Sequence, residues 1–188
     1  MARPVAVAIT GGIGAGKSQA LKAFARHGAA TISSDEIVHA LLREDDEVKR
    51  EIVERLGPEV LSDGAIDRRK VADRVFGDRE RLDWLERLLH PRVSRQYLAW
   101  QEEQTAPLTV VEVPLLFESG GETRFDKVVV ITAPARLREG RSPQTDERAQ
   151  RLLPDDEKVR RADFAYENTG SLEELDSWVA GVVEELTR

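Results

Sequence analysis

Gly11-Gly-Ile-Gly-Ala-Gly-Lys-Ser18 is the stretch on which the reading of this chain turns. Its spacing is G-x-x-x-x-G-K-S, and each fixed residue type has a physical task. Gly11 and Gly16, with Gly12 and Gly14 between them, admit backbone conformations that a side chain would forbid. Several N–H groups can then converge on one anion. Lys17 adds a positive charge for the outer phosphates of a nucleotide, and Ser18 a hydroxyl for a divalent cation. The flanks agree. Pro4-Val-Ala-Val-Ala-Ile9 is an apolar, β-branched run that suits a buried parallel strand. After Ser18, residues Leu21, Phe24 and Ala25 are spaced for one face of a helix. The glycines therefore lie between a strand and a helix N-terminus, where the helix dipole also favours phosphate. A chance Gly-rich turn would not require this context.

The rest of the composition narrows the possibilities. The chain has 188 residues, 40% hydrophobic and 34% charged, with a net charge of −7. That length suits one well-buried core with room for an inserted subdomain. An acidic balance argues against a nucleic-acid partner, which calls for a basic face. There is no cysteine, which excludes a disulfide framework and thiol catalysis and suits a cytoplasmic setting. The apolar runs fall short of the roughly 20 residues that cross a bilayer. The run after Arg3 stops at Thr10-Gly11, too soon for a signal-peptide core.

Further along, Gly28 is a plausible helix C-cap and Ala29–Ile32 a second strand, after which Ser34 or Asp35 caps a helix. From Asp35 to about Gln104 the pattern is almost all helical. Val48, Ile52, Val53 and Leu56 make one stripe, broken at Gly57-Pro58. Asp67 caps a helix with Val71, Val75 and Phe76 inward. Leu82, Leu85, Leu88 and Leu89 form a stripe ending at His90-Pro91, and Pro91 opens a further helix with Val93, Tyr97 and Leu98. Strand signals return at Leu108–Val113, Lys127–Thr132 and Asp163–Glu167. Leu115 to Gly121 reads as a loop or short helix, and residues 135–161 form an Arg-rich stretch. Ser171 with Glu174 makes a capping box for a last helix that turns Leu172, Leu175, Val179, Val182, Val183 and Leu186 inward. Strands alternating with helices imply an α/β fold with a doubly wound parallel sheet of five strands. The helical stretch after the second strand is too long for a simple crossover and reads as an inserted lobe.

A phosphate loop alone does not separate GTPases, ATPases, kinases and transporters. An Asn-Lys-x-Asp element for reading guanine is missing, which leaves a small kinase with an acceptor lobe. At this point a resemblance becomes specific. Thr10–Ser18, Ile32-Ser-Ser-Asp-Glu-Ile37, Asp67-Arg68 leading to Val75-Phe76, Leu88-Leu-His-Pro91, Val113-Pro-Leu-Leu-Phe-Glu118, Asp156-Glu-Lys158 to Ala162-Asp163, and Asn168–Leu175 follow one another in the order seen in dephospho-CoA kinases. The phosphate loop is generic, whereas His-Pro and Pro-Leu-Leu-Phe-Glu in this order are more specific. The chain is similar to that family over nearly its whole length.

The resemblance implies a phosphate-loop core (1–34, 108–134 and 162–188), a helical acceptor lobe (35–107) and a lid (135–161). It implies transfer of the γ-phosphoryl of ATP to the ribose 3′-hydroxyl of dephospho-CoA, with Mg²⁺, by a monomer or weak oligomer that needs neither nucleic acid nor membrane. Gly12, Ile13, Gly14, Ala15, Gly16, Lys17 and Ser18 would hold ATP, and Ser18 and Glu112 the Mg²⁺. Asp35 would take the proton of the acceptor hydroxyl or orient that hydroxyl; its alternative is a plain helix cap. His90, Pro114, Leu115, Leu116, Phe117 and Glu118 would line the acceptor site. For His90 the alternative is a structural hydrogen-bonder, and Leu115, Leu116 and Phe117 could equally be core. Arg141, then Arg138, would serve as the lid arginine, against a merely solvated face that would also hold Arg148. Four departures stand out. Ser33 and Glu112 occupy positions where the family more often has Asp, Gln19 follows Ser18 where Thr is common, and Leu152 stands where a Gln is usual. The stretch from Pro134 to Pro154 is also short by roughly two helical turns. Two other readings remain open: another small-molecule kinase, such as one acting on nucleoside monophosphates, and a nucleotide-binding regulator without catalysis.

Overall fold

The computed structural model describes residues 3–139 and 152–188. The chain divides into two units, Met1–Ser33 with Trp100–Arg188, and Ser34–Ala99. The first is built on a five-stranded parallel sheet in the order β2-β5-β1-β6-β7. Its strands are β1 (Val5–Gly11), β2 (Ala30–Ser33), β5 (Leu108–Glu112), β6 (Lys127–Thr132) and β7 (Phe164–Glu167).

β1 is central, and its apolar run is explained by burial on both faces. Val7 and Ile9 point to one side. There they pack with Leu108, Val110, Val129 and Ile131, with Ala20, Ala23 and Phe24 of α1 (Lys17–Arg26), and with Leu175, Val179 and Val182 of the C-terminal helix Leu172–Thr187. Ala8, pointing the other way, meets Leu116, Phe117, Val128 and Val130. α1 ends at a Schellman motif, with Ala29 N–H bonded to Phe24 O and Gly28 N–H to Ala25 O, both 3.1 Å. The C-terminal helix opens with the expected capping box: Ser171 Oγ accepts from Glu174 N at 3.2 Å, and Glu174 Oε2 accepts from Ser171 N at 2.8 Å.

The second unit is mostly helical. It holds α2 (Ser34–Glu44), α3 (Asp46–Leu56), α4 (Arg68–Val75) and most of α5 (Arg79–Glu102). Its core gathers Leu42, Val48, Ile52, Leu56, Val60, Ile66, Val71, Val75, Leu88 and Leu89. Asp67 caps α4 as expected, accepting from Arg69 N and Lys70 N. A third hydrogen bond, from Ser62 Oγ at 2.9 Å, is the main reason its carboxyl lies below the usual aspartate range.

Several expectations are corrected. The stretch read as almost all helical contains an antiparallel hairpin, β3 (Leu61–Ser62) and β4 (Ala65–Ile66), turning at Asp63 (φ 50°) and Gly64 (φ 79°). Asp-Gly between short strands is a hairpin signal. The helices expected on either side of Pro91 are one 24-residue helix. Proline removes a single helical bond, and buried Leu88, Leu89 and Val93 hold both sides of it. Next to it, Arg92 donates to Leu88 O at 3.0 Å and pairs with Glu47 and Glu51 of α3 at 3.3 and 2.9 Å. α2 begins at Ser34, so Asp35 lies in its first turn rather than before it. Phe76 and Leu172, expected inward, are 49% and 59% exposed. Ala25 also faces solvent, the buried face of α1 being Ala20, Ala23 and Phe24.

Candidate phosphate-binding active site

The site lies at the carboxyl edge of the parallel sheet, where ligands bind in such folds. β1 ends at Gly11 with φ 143°, and a Cβ there would stand 1.9 Å from Ile131 O on β6. Glycine is therefore dictated by the close approach of two strands. α1 starts at Lys17 after Gly16 (φ 102°), with no side chain capping it. An uncapped helix start below a run of glycines is a ready anion site. Lys17 Nζ donates to Gly12 O at 2.9 Å, so its charge lies folded over the loop.

Ser18 Oγ donates to Glu112 Oε2 at 3.3 Å. Glu112 is 7% exposed at the end of β5, in register with Ile9 of β1 and Ser33 of β2. A hydroxyl and a carboxylate oxygen side by side are hard donors of the kind that Mg²⁺ takes together with phosphate and water. Among the described residues no group of three or more His, Asp or Glu side chains could hold a metal alone. The donor set thus fits a cation that arrives with a nucleotide.

Opposite the loop stand α6 (Ala135–Glu139) and α7 (Asp155–Arg161). Arg138 Nη1 of α6 and Asp155 Oδ2 of α7 are 3.0 Å apart, each side chain about a quarter exposed. They close on Gly12, where a Cβ would come 2.5 Å from Arg138 Nη1. Gly12, Ile13, Arg138 and residues 152–156 line a cavity of about 350 Å³. Arg141, the other expected lid arginine, and Arg148 lie outside the described residues.

The loop after β5 behaves differently from what its motif suggested. Leu116 and Phe117, 0% and 6% exposed, belong to the core under the sheet. Their side chains pack in that core, which is the alternative given for them above. Glu118 Oε1 accepts from Leu153 N at 2.9 Å and faces Lys158 Nζ, also at 2.9 Å. Lys158 is fully buried, and its contact is charge pairing without an aligned hydrogen bond. Glu118 thus holds the segment that walls the cavity, a structural task that its carboxylate performs inside the protein. Arg161 adds to this tie, pairing with Glu122 and lying 4.4 Å over the Phe117 ring. Pro114 accepts from Thr10 Oγ1 at 3.3 Å, and Leu115 is half-buried.

Asp35 and His90 lie in the other unit, and both are exposed. Asp35 follows the last residue of β2 by two positions. Among the described residues no protein group hydrogen-bonds the His90 ring.

Sequence reading missed Asn168. It is 6% exposed, and its Nδ2 donates to Ala15 O at 2.9 Å. Its place just past the last strand was the available signal, its burial being visible only in the fold. The counter-ion Asp155 was also missed, for want of any local pattern.

A parallel sheet in this order, with a glycine loop between its central strand and α1, defines a phosphate-loop kinase. A family model described as dephospho-CoA kinase matches residues 5–174. A dephospho-CoA kinase of Thermus thermophilus is 39% identical over 194 residues, covering 98% of this chain and 93% of that protein. A crystal structure of a Thermus thermophilus protein superposes with TM-score 0.81 at 37% identity, covering 100% of both chains. The dephospho-CoA kinase structure from Campylobacter jejuni gives TM-score 0.67 at 26% identity, covering 98% of each. The chain belongs to the dephospho-CoA kinase family.

Proposed function

We propose that this chain transfers the γ-phosphoryl group of ATP to the ribose 3′-hydroxyl of dephospho-CoA, giving coenzyme A and ADP. The observation that carries the reading is the cluster at the sheet edge: the glycine loop, Lys17 over it, and Ser18 beside Glu112. Gly12 to Ser18 bind the nucleotide phosphates through backbone N–H groups, and Lys17 swings from Gly12 O to the outer phosphates. Ser18 and Glu112 hold Mg²⁺, which supplies charge neutralisation on the phosphates when bound. A new bond forms between the ribose 3′-oxygen and the γ-phosphorus as the bond to the β,γ-bridging oxygen breaks. Asp35 accepts the proton of the 3′-hydroxyl. Arg138 releases Asp155 and neutralises the transferring group, with Arg141 as a second cation. Residues 35–107 take the acceptor, with His90, Pro114 and Leu115 as its contacts, and 135–161 close over the nucleotide. No helix among the described residues is long and apolar enough to cross a membrane; we place the protein in the cytoplasm as a monomer or weak oligomer.

Incubation with ATP, Mg²⁺ and dephospho-CoA, read by mass spectrometry, should yield coenzyme A and ADP in equal amounts. ADP formed without coenzyme A would overturn the proposal. Asp35→Asn preserves size, so a folded variant with near-normal turnover would remove the proton-accepting role from Asp35.

A further inference from the structure

We infer that Asn168 is a positioning residue of the phosphate loop, holding the Ala15–Gly16 peptide so that the Gly16 N–H faces bound phosphate. The inference rests on the reading of Gly11 to Ser18 as the ATP site.

The geometry runs from the sheet to the loop. The backbone N–H of Asn168 donates to Thr132 O, the last residue of β6, at 2.8 Å. β6 lies beside β1, with Ile131 in register with Gly11. Asn168 is thus fixed to the strand against which the loop begins. From there its Nδ2 donates to Ala15 O at 2.9 Å, in a hydrogen bond spanning 153 residues of sequence and buried from solvent. Only the amide nitrogen can face a carbonyl oxygen favourably, so the amide orientation is chemically determined.

Ala15 is itself fully buried, so its carbonyl needs a protein partner. The peptide that follows is trans, as are all in the described chain. In a trans peptide the C=O and the next N–H point in opposite directions. A carbonyl held by Asn168 therefore turns the Gly16 N–H away from Asn168. Gly16 completes the fit. At φ 102° its missing Cβ would stand 2.3 Å from Asn168 Nδ2. The amide occupies the volume that a side chain at position 16 would need. The glycine of the motif and the distant asparagine are thus two halves of one contact. Before any ligand arrives, the loop has a peptide already oriented, and binding does not have to order it.

The test uses the full chain and two variants. Asn168→Ala removes the donor. Asn168→Asp keeps the shape but turns an acceptor on the Ala15 carbonyl. KM for ATP and for dephospho-CoA, and Kd for ADP and for inorganic tripolyphosphate, are measured beside Tm. Asn168→Ala is expected to raise KM for ATP and both Kd values by about 5- to 10-fold, the worth of one hydrogen bond. KM for dephospho-CoA should stay within twofold, and Asn168→Asp should weaken phosphate binding further. Variants with a lowered Tm but tripolyphosphate affinity within twofold of wild type would overturn the inference. So would a loss of ADP affinity without a loss of tripolyphosphate affinity, which would move Asn168 to the nucleoside. The wild-type chain gives a reading that needs no variant. The Asn168 side-chain amide protons should exchange slowly without ligand, and the Gly16 amide resonance should shift with tripolyphosphate. Fast exchange of that side-chain amide would overturn the inference. A wild-type chain binding neither ADP nor tripolyphosphate would instead overturn the ATP-site reading beneath it.

Discussion

The two sides of the candidate phosphate site are made in opposite ways. One wall, Gly11 to Ser18, is eight consecutive residues whose chemistry is set by their own order. The other, residues 152–168, has no motif of that kind and acts through distant partners: Asp155 with Arg138, Lys158 with Glu118, Asn168 with Ala15. The contiguous wall carries the groups proposed to meet phosphate. The assembled wall carries the groups that hold them in place. Variants in the first should therefore lose activity at constant stability, and variants in the second should lose stability or affinity first.

The largest effect is expected at Lys17. Lys17→Met should lower kcat/KM on the order of 10³-fold, the scale of removing one electrostatic stabiliser of the transition state. Tm should hardly move, and a large fall in Tm would break the distinction. Next comes Lys158→Met. It leaves Glu118 buried without its cation and should cost about 3 kcal/mol in denaturant unfolding. The double variant Glu118→Gln with Lys158→Met should recover much of that loss, because no unpaired charge remains. Additive losses would show that the pair does not act as a unit. A smaller effect is expected from Ser171→Ala, about 1 kcal/mol by loss of the helix cap at unchanged KM.

The smallest is a pH effect. Arg3 donates two hydrogen bonds to Asp126, and chiefly for that reason its carboxyl lies below the usual aspartate range. A carboxyl depressed in the folded state adds stability above its unfolded pKa of about 4, and loses it as pH falls through the folded value. Asp176, held down mainly by Arg26 and then His27, has the same sign. Tm should therefore be level from pH 7 to about 5 and fall below about 4. Asp126→Asn should make that fall shallower, and an unchanged acid profile would remove Asp126 from it.

Much of the fold was legible because it is written in short-range patterns. Four strands of the parallel sheet carry β-branched residues between glycines, prolines and polar turns, and β7 alternates Phe164 and Tyr166 with Ala165 and Glu167. Caps at Asp67 and Ser171 followed from side chains that bond the next turn of their own chain. The hairpin at Asp63-Gly64 was legible too, but it was outweighed by the helices on either side. The uninterrupted helix through Pro91 was not. Local rules end a helix at proline, and only the packing of Leu88, Leu89 and Val93, with Arg92 paired to α3, carries it through.

The same division holds for the site. Lys17 and Ser18 were readable because the loop motif specifies both residue type and spacing. Leu116, Phe117 and Glu118 share one motif, yet they separate in space: two enter the core and the third anchors a chain segment 35 residues away. Periodicity says that a residue is apolar or charged, not what stands opposite it.

From its order of residues alone, this chain is a phosphate-loop protein, because strand, glycine loop and helix are local features with local causes. The tertiary structure alone decided which polar groups brace that loop. The bonds from Asn168 to Ala15 and from Arg138 to Asp155 join residues brought together only when strands distant in sequence pair side by side.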